Sequence, residues 1–355
     1  MRKTYRILPV YTGDVSGAAS ALYELGGMTV IHDPSGCNST YNTHDEVRWF
    51  DQESLIYISG LNDIDAITGN DGKFIDDICF AADKMKPRFI ALANSPLPYL
   101  NGTDFKGICR VLEEKTGLPC FYVNTNAMHD YTKGQSEAFL SFAVKMLKGS
   151  EEKIRCGINI VGMTPLDFTS TDIYITDGHE TVSNWALGTS FDSVMNAAKA
   201  ELNLAVSSSG IAACEYMKDK FGIPYVKGLP WNGTVKDYMD VKRSYSKNYI
   251  VGEPVISGSV AAYIKETYGL DFNVIATTEI TDGLLLGCDK RCDGEEEIEA
   301  ALKDAETIIA DPMVRLISPD RAKFIELPHF AMSGRLYRKQ IPNLLKPEEY
   351  LYGIK

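Results

Sequence analysis

Short apolar runs alternate with segments of helical periodicity along most of this chain. Residues 28–31, 55–60, 89–93 and 120–123 read as strands. Phe89-Ile90-Ala91-Leu92-Ala93 is apolar without a break, as in a parallel strand covered on both faces. Helical segments lie between them. Residues 16–25 are Ala-rich and end at Gly26-Gly27, and residues 73–85 repeat Phe74, Ile75, Ile78, Ala82 and Met85 before Pro87. Residues 103–116 end at Gly117 with Pro119 beyond, and residues 134–147 form the next helix. The polar stretch 148–153 marks a boundary.

The same alternation resumes twice. A second unit opens with a strand at 157–161, continues with a strand at 173–175, a helix at 191–201 and a strand at 202–206, and closes with a helix at 211–221. A third opens near Tyr249, with a helix at 258–268, strands at 272–276, 307–311 and 323–327, and an acidic helix at 295–305. Strand and helix at this spacing predict an α/β protein built from parallel sheets. The units are expected at residues 1–150, 151–246 and 247–355.

At 355 residues the chain exceeds one typical domain. Apolar residues make up 45% and charged residues 24%, so the chain has the make-up of a globular protein rather than a disordered one. The net charge of −12, uninterrupted by any Lys/Arg cluster, argues against nucleic acid or an anionic membrane as partner. No run approaches the ~18 apolar residues of a membrane span. The basic residues near Met1 precede no apolar core of signal-peptide length, so a cytoplasmic location is expected.

Eight cysteines in such a chain read as free thiols or metal ligands rather than disulfides. Most lie inside apolar segments and behave as small hydrophobes. Cys37 and the Cys288/Cys292 pair stand beside loop signals. The pair is only half of a zinc-finger spacing and reads as structural.

The loop His32-Asp33-Pro34-Ser35-Gly36-Cys37 is the first candidate for chemistry. It leaves an apolar strand, Gly36 allows the positive φ of a tight turn, and Cys37 sits at the exit. It reads equally as an ordinary βα turn with an incidental thiol. Other candidates also stand at the expected strand ends, where open α/β sheets bind ligands. They are Asn124-Thr125-Asn126, Asp177-Gly178-His179-Glu180, Ser207-Ser208-Ser209 and Thr277-Thr278-Glu279. His179 and Glu180 could act as proton donors in a reduction. As turn and cap residues they would need no such role. No Gly-x-x-x-x-Gly-Lys-Ser/Thr loop occurs, so no ATP site is expected on this chain.

Four stretches in order resemble the nitrogenase component 1 family, which includes the dinitrogenase subunits, their cofactor-assembly scaffold and the light-independent protochlorophyllide reductases. His32-Asp33-Pro34-Ser35-Gly36-Cys37 looks like the family's His-Gly-Pro-x-Gly-Cys loop. Residues 59–69 look like its acidic turn before a glycine-bounded helix. Ala93-Asn94-Ser95-Pro96 with Gly102-Thr103-Asp104 looks like its strand into Cys-Pro. Ala200-Glu201-Leu202-Asn203-Leu204 and Phe221-Gly222-Ile223-Pro224 look like its central strand and turn.

The resemblance implies three Rossmann-like or flavodoxin-like parallel-sheet units. It implies an iron–sulfur cluster, 4Fe-4S, at a subunit interface, with Cys37 as a metal ligand and Gly36 and Ser95 as cofactor-binding residues. The departures restrict that picture. No Cys precedes Cys37, Ser95 stands where the family has its third Cys, and Asp33 replaces the loop Gly. Three arrangements follow: a different partner subunit supplies most ligands; two copies supply Cys37 with Asp33, Ser95 or His32; or the cluster is absent. The implied partners are a second component-1-like subunit, in a homodimer or a heteromer, and an ATPase reductase similar to the nitrogenase iron protein. The implied function is that of a nitrogenase-like oxidoreductase subunit, carrying out ATP-dependent low-potential reduction of a small molecule or tetrapyrrole. The alternatives are a non-catalytic metallocofactor scaffold or carrier and a metal-chelate binding protein.

Overall fold

A computed structural model describes residues 5–34, 46–53, 55–171, 175, 177–231 and 233–354, apart from the side chains of Phe50 and Arg335. It contains three sheets, all parallel. The first comprises β1 (Met28–His32), β2 (Leu55–Ile58), β3 (Ile90–Asn94) and β4 (Cys120–Val123) in the order β2-β1-β3-β4. Every residue of β1 and β3 is buried, as their apolar runs require. Helices α1 (Asp14–Leu22), α2 (Asp63–Thr68), α3 (Asp71–Met85), α4 (Pro96–Asn101), α5 (Phe105–Thr116) and α6 (Tyr131–Met146) complete this unit. Asn62, Asp104 and Asp130 cap α2, α5 and α6 by accepting N–H bonds.

The second sheet joins β5 (Gly157–Met163), β6 (Glu180–Ala186), β7 (Leu202–Ala205) and β8 (Tyr225–Lys227) in the equivalent order β6-β5-β7-β8, with α7 (Phe191–Met195) and α8 (Ile211–Phe221). The third joins β9 (Asn248–Gly252), β10 (Asn273–Ala276), β11 (Lys290–Arg291), β12 (Thr307–Ala310) and β13 (Lys323–Glu326) in the order β11-β10-β9-β12-β13. Its helices are α9 (Pro254–Tyr268), α10 (Glu295–Leu302), α11 (Phe330–Tyr337) and α12 (Pro347–Tyr350). Each sheet reverses its strand progression once, at β1/β3, β5/β7 and β9/β12. The crevice outside the carboxyl ends of such a pair is the natural ligand position.

Two elements differ from the sequence reading. The strand that flanks β5 is β6, at Glu180–Ala186, whereas the strand expected at 173–175 falls largely outside the described residues. β6 is an edge strand with only Ser183, Trp185 and Ala186 buried, so its apolar pattern is weak. The helix expected over 191–201 stops at Met195. Asn196 takes ψ near 0° and its side-chain amide donates to the Asp192 carbonyl, and a 3-10 turn follows at Ala197–Lys199.

The first two units share a core. Leu22, Phe139 and Phe142 pack in one cluster with Trp185, Val194, Ala205 and Met217. Helices α1 and α6 cross where neither can carry a side chain. A Cβ on Gly134 would lie 1.7 Å from the Asp14 carbonyl oxygen, and one on Gly17 would lie 2.1 Å from that of Tyr131. This close approach sets Tyr131 at the centre of the molecule.

The N-terminal segment packs on the third unit rather than the first. Glu295 Oε2 accepts the N–H groups of Arg6 (2.9 Å), Ile7 (2.7 Å) and Leu8 (2.9 Å). Burial alone would raise the Glu295 carboxyl; the three N–H groups and the Arg6 charge outweigh it and bring the pKa to about 2. Such a depressed acid stabilises the fold above the unfolded value, and that contribution is lost as pH falls from about 4.5 towards 2. Glu295→Gln is therefore expected to cost about 1–3 kcal/mol at pH 7 and to flatten this acid limb. Urea unfolding at pH 7 and pH 3 measures both.

Candidate functional site

The carboxyl ends of the second and third sheets face each other across the start of α6. Asp167 lies in the turn that leaves β5, Glu253 follows β9, Asp311 follows β12, and His329 precedes α11. The Tyr131 hydroxyl donates to Asp167 Oδ1 at 2.6 Å, and His329 Nε2 lies 2.9 Å from the same oxygen. Ser208 N–H donates to Glu253 Oε1 and Ile256 N–H to Oε2, both at 2.7 Å. Asp311 Oδ2 accepts His329 N–H at 2.8 Å and the Ser333 hydroxyl at 2.5 Å. Glu253 thus ties the third unit to the second, and Asp167 ties the second to both others.

Burial is the main force on these groups. It raises Glu253 to about 7, helped by the Asp167 charge and opposed by the Ile256 and Ser208 bonds. Burial opposes charge on His329, yet the bond and charge of Asp167, with Asp311 and Glu253, outweigh it and raise the imidazole pKa. Burial and the Asp167 charge push Tyr131 well above the usual phenol range. A small cavity of about 30 Å³ lies among Tyr11, Asp167, Glu253, Asp311 and His329.

A larger open cleft, about 630 Å³, lies where all three units meet. His129 and Lys133 of the first, Ser208 and Ala212 of the second, and Thr281 and Arg291 of the third line it. His129 Nδ1 lies 2.8 Å from Glu279 Oε2, and the Glu279 N–H donates to Asp130 at 2.6 Å. Ser208 Oγ is buried without a hydrogen-bond partner. Among the described residues no thiol lines this cleft. Its hydroxyls and mixed charges suit a multi-atom polar ligand rather than a covalently bound one.

At the β1/β3 crevice the structure brings His32 and Ser95 together, since His32 pairs with Asn94. Ser95 is fully buried at the start of α4, and its hydroxyl has no partner. His32 stacks on Phe74 with centroids 4.0 Å apart, and its Nδ1 lies 2.8 Å from Ser59 Oγ. Burial lowers the His32 pKa to about 4 against the opposing Asp33 charge, so the ring is neutral at pH 7. Gly36 and Cys37 lie outside the described residues. His32, Asp33 and Ser95 offer nitrogen and oxygen donors, whereas a four-iron cluster takes mainly thiolates. The described residues of one chain therefore do not fit such a cluster by themselves.

His179 and Glu180 are not at a carboxyl end. Glu180 opens β6 opposite Gly157, the first residue of β5, so both residues stand at the amino edge, away from the cleft. The premise for a proton-donor role, a carboxyl strand end, fails there because β6 begins at these residues rather than ending before them. His179 Nδ1 instead pairs with Asp177 at 2.5 Å. Asn124-Thr125-Asn126, Ser207-Ser208-Ser209 and Thr277-Thr278-Glu279 do follow carboxyl ends. Cys292 is buried in the core of the third unit.

Sequence reasoning missed Asp167, Glu253, Asp311, His329 and Tyr131. Two of them carried a legible signal: Glu253-Pro254 and Asp311-Pro312 each follow an apolar strand, the pattern of an acidic cap before a proline-started turn of helix. Nothing local marks Asp167 or His329, which the tertiary fold brings together from 162 positions apart.

Residues 15–272 match the family described as nitrogenase component 1 type oxidoreductase. The chain is 27% identical over 210 residues to the nitrogenase iron-molybdenum cofactor biosynthesis protein NifE of Clostridium pasteurianum, covering 56% of this chain and 45% of NifE. It is 22% identical over 262 residues to the corresponding protein NifN of Rippkaea orientalis (strain PCC 8801 / RF-1), covering 63% of this chain and 56% of NifN. The chain thus spans about half the length of these relatives. A solved structure of nitrogenase Cp1 at pH 6.5 superposes with a TM-score of 0.62 at 16% identity, over 99% of this chain and 72% of that one. Another, at pH 5, gives 0.60 at 15% identity, over 85% and 72%. These structures share the fold. The relatives' names fit the scaffold alternative and not the specific reductase reading.

Tyr131→Phe removes one donor from Asp167 at the meeting point of the units. It is expected to cost about 1–3 kcal/mol in urea unfolding. An unchanged midpoint would remove that contact from the account.

Proposed function

The chain belongs to the nitrogenase component 1 type oxidoreductase family, and we propose from that premise that it is a scaffold or carrier for a metal–sulfur cofactor. The observation that carries the reading is the open cleft of about 630 Å³ at the junction of the three units. It is roomy enough for a multi-atom cargo, and its mixed polar lining suits a ligand that must later leave. The two relatives named as cofactor biosynthesis proteins support the same reading.

The carrier works as a pair, with a second copy or a related subunit. Ile64, Ile67 and Leu100 are 73%, 84% and 75% exposed on α2 and α4, near the His32 and Ser95 crevice, and pairing would cover them. Any cluster shared across the pair takes Cys37 as its thiolate and Ser95 as an oxygen donor. An iron-protein-like ATPase belongs to the reductase reading and is not needed by a carrier.

Anaerobic incubation of the purified protein with isolated iron–molybdenum cofactor, and separately with ferrous iron and sulfide, tests the proposal. Iron and sulfide are expected to survive desalting in fixed ratio to protein. Ala212→Trp, which fills the cleft from α8, should lower retention at least tenfold. Cys37→Ala should bleach any absorbance of an interface cluster and spare the cleft cargo. No retained iron, retention indifferent to Ala212→Trp, or sustained ATP-dependent substrate reduction would overturn the carrier reading.

A further inference from the structure

The small cavity of about 30 Å³ presents a charge problem that the cofactor reading does not address. Asp167, Glu253 and Asp311 all line it and are at most 4% exposed. Among its described lining residues, His329 is the only basic side chain, and no Lys or Arg lines the cavity. The rest of the wall includes Val251, Val314, Leu327 and Met332, which offer a carboxylate no stabilisation. Buried carboxylates without compensation are costly.

Hydrogen bonds account for every oxygen of the three carboxylates except one. Both Glu253 oxygens accept backbone N–H groups. Asp311 Oδ1 accepts from Met313 N–H, and Oδ2 from His329 N–H and Ser333. Asp167 Oδ1 takes Tyr131 and His329, but Asp167 Oδ2 is buried with no partner. The orphan oxygen belongs to a residue that lines a cavity of about 30 Å³, enough for one or two water-sized bodies.

We propose that this cavity binds one small monovalent cation, of the potassium or ammonium class, held by Asp167 Oδ2 and the field of Glu253 and Asp311. A divalent metal fits less well. Among the described residues no three His, Cys, Asp or Glu side chains are arranged to hold a metal ion, and hard divalent ions want six or more ordered oxygens. A monovalent ion needs fewer strong ligands and completes its shell with hydroxyl or water. Bound there, it would brace the junction that shapes the cleft. The proposal is independent of the cargo reading, since the cation stabilises the fold whether or not the cleft carries a cofactor.

Thallium-205 NMR of the wild-type protein, with Tl⁺ as a potassium mimic, reads the site directly. One saturable Tl⁺ site, displaced by K⁺, is expected. Thermal midpoints in KCl or NH₄Cl should exceed those in choline chloride at equal ionic strength by roughly 3 °C or more and depend on cation concentration. Asp167→Asn and Glu253→Gln should each abolish or sharply weaken that difference. Non-saturable Tl⁺ signals with equal midpoints in all three salts would overturn the proposal, leaving only water in the cavity. A cation effect undiminished in both variants would overturn its location. If either variant fails to fold, the wild-type thallium titration decides.

Discussion

The hydrogen bonds made by Glu253 and Asp167 are the constraint on which this architecture rests. Each carboxylate leaves one sheet and is held by groups of another unit: Glu253 by the N–H of Ser208, and Asp167 by His329 and Tyr131. A broken bond here would leave a buried charge uncompensated, which costs more than the bond itself contributes. The three units therefore cannot drift apart cheaply, although each sheet is built separately. The junction also fixes the cleft above it, since Ser208 is both a Glu253 partner and part of the cleft wall.

Packing brings the first unit into the same arrangement. Gly17 and Gly134 let α1 and α6 approach without side chains between them, and this sets the Tyr131 hydroxyl against Asp167. On the far side, Glu295 holds the N-terminal segment, which leads to Tyr11 at the cavity and its 2.8 Å contact with Thr277. A segment from the start of the chain thus closes against residues near its end. Local sequence cannot anticipate such a contact.

The fold was largely legible because its signals are local. Unbroken apolar runs such as residues 89–93 identify buried parallel strands, and glycines at 117, 222 and 269 end helices in the left-handed conformation. β6 escaped because an edge strand buries only part of one face. That omission also moved His179 and Glu180, which a correct β6 places at the amino edge. The site was legible only in part. Ser207–Ser209 and Thr277–Glu279 stand at strand ends as turn chemistry suggests, while Asp167 and His329 acquire meaning only when distant segments meet. The family resemblance was readable from ordered motifs, and its departures at Asp33 and Ser95 were equally plain.

The central claim is that buried carboxylates lock three sheets into one cooperative body around the cleft. Native-state hydrogen exchange on the amides of Ser208, Ile256 and His329 tests it most directly, because each donates to one of these carboxylates. The account predicts that all three exchange only with global unfolding, at one shared free energy that matches urea denaturation. Faster exchange of Ser208, whose N–H crosses from the second unit to Glu253 of the third, than of the core amides of β5 and β9 would contradict it, because the units would then be opening independently.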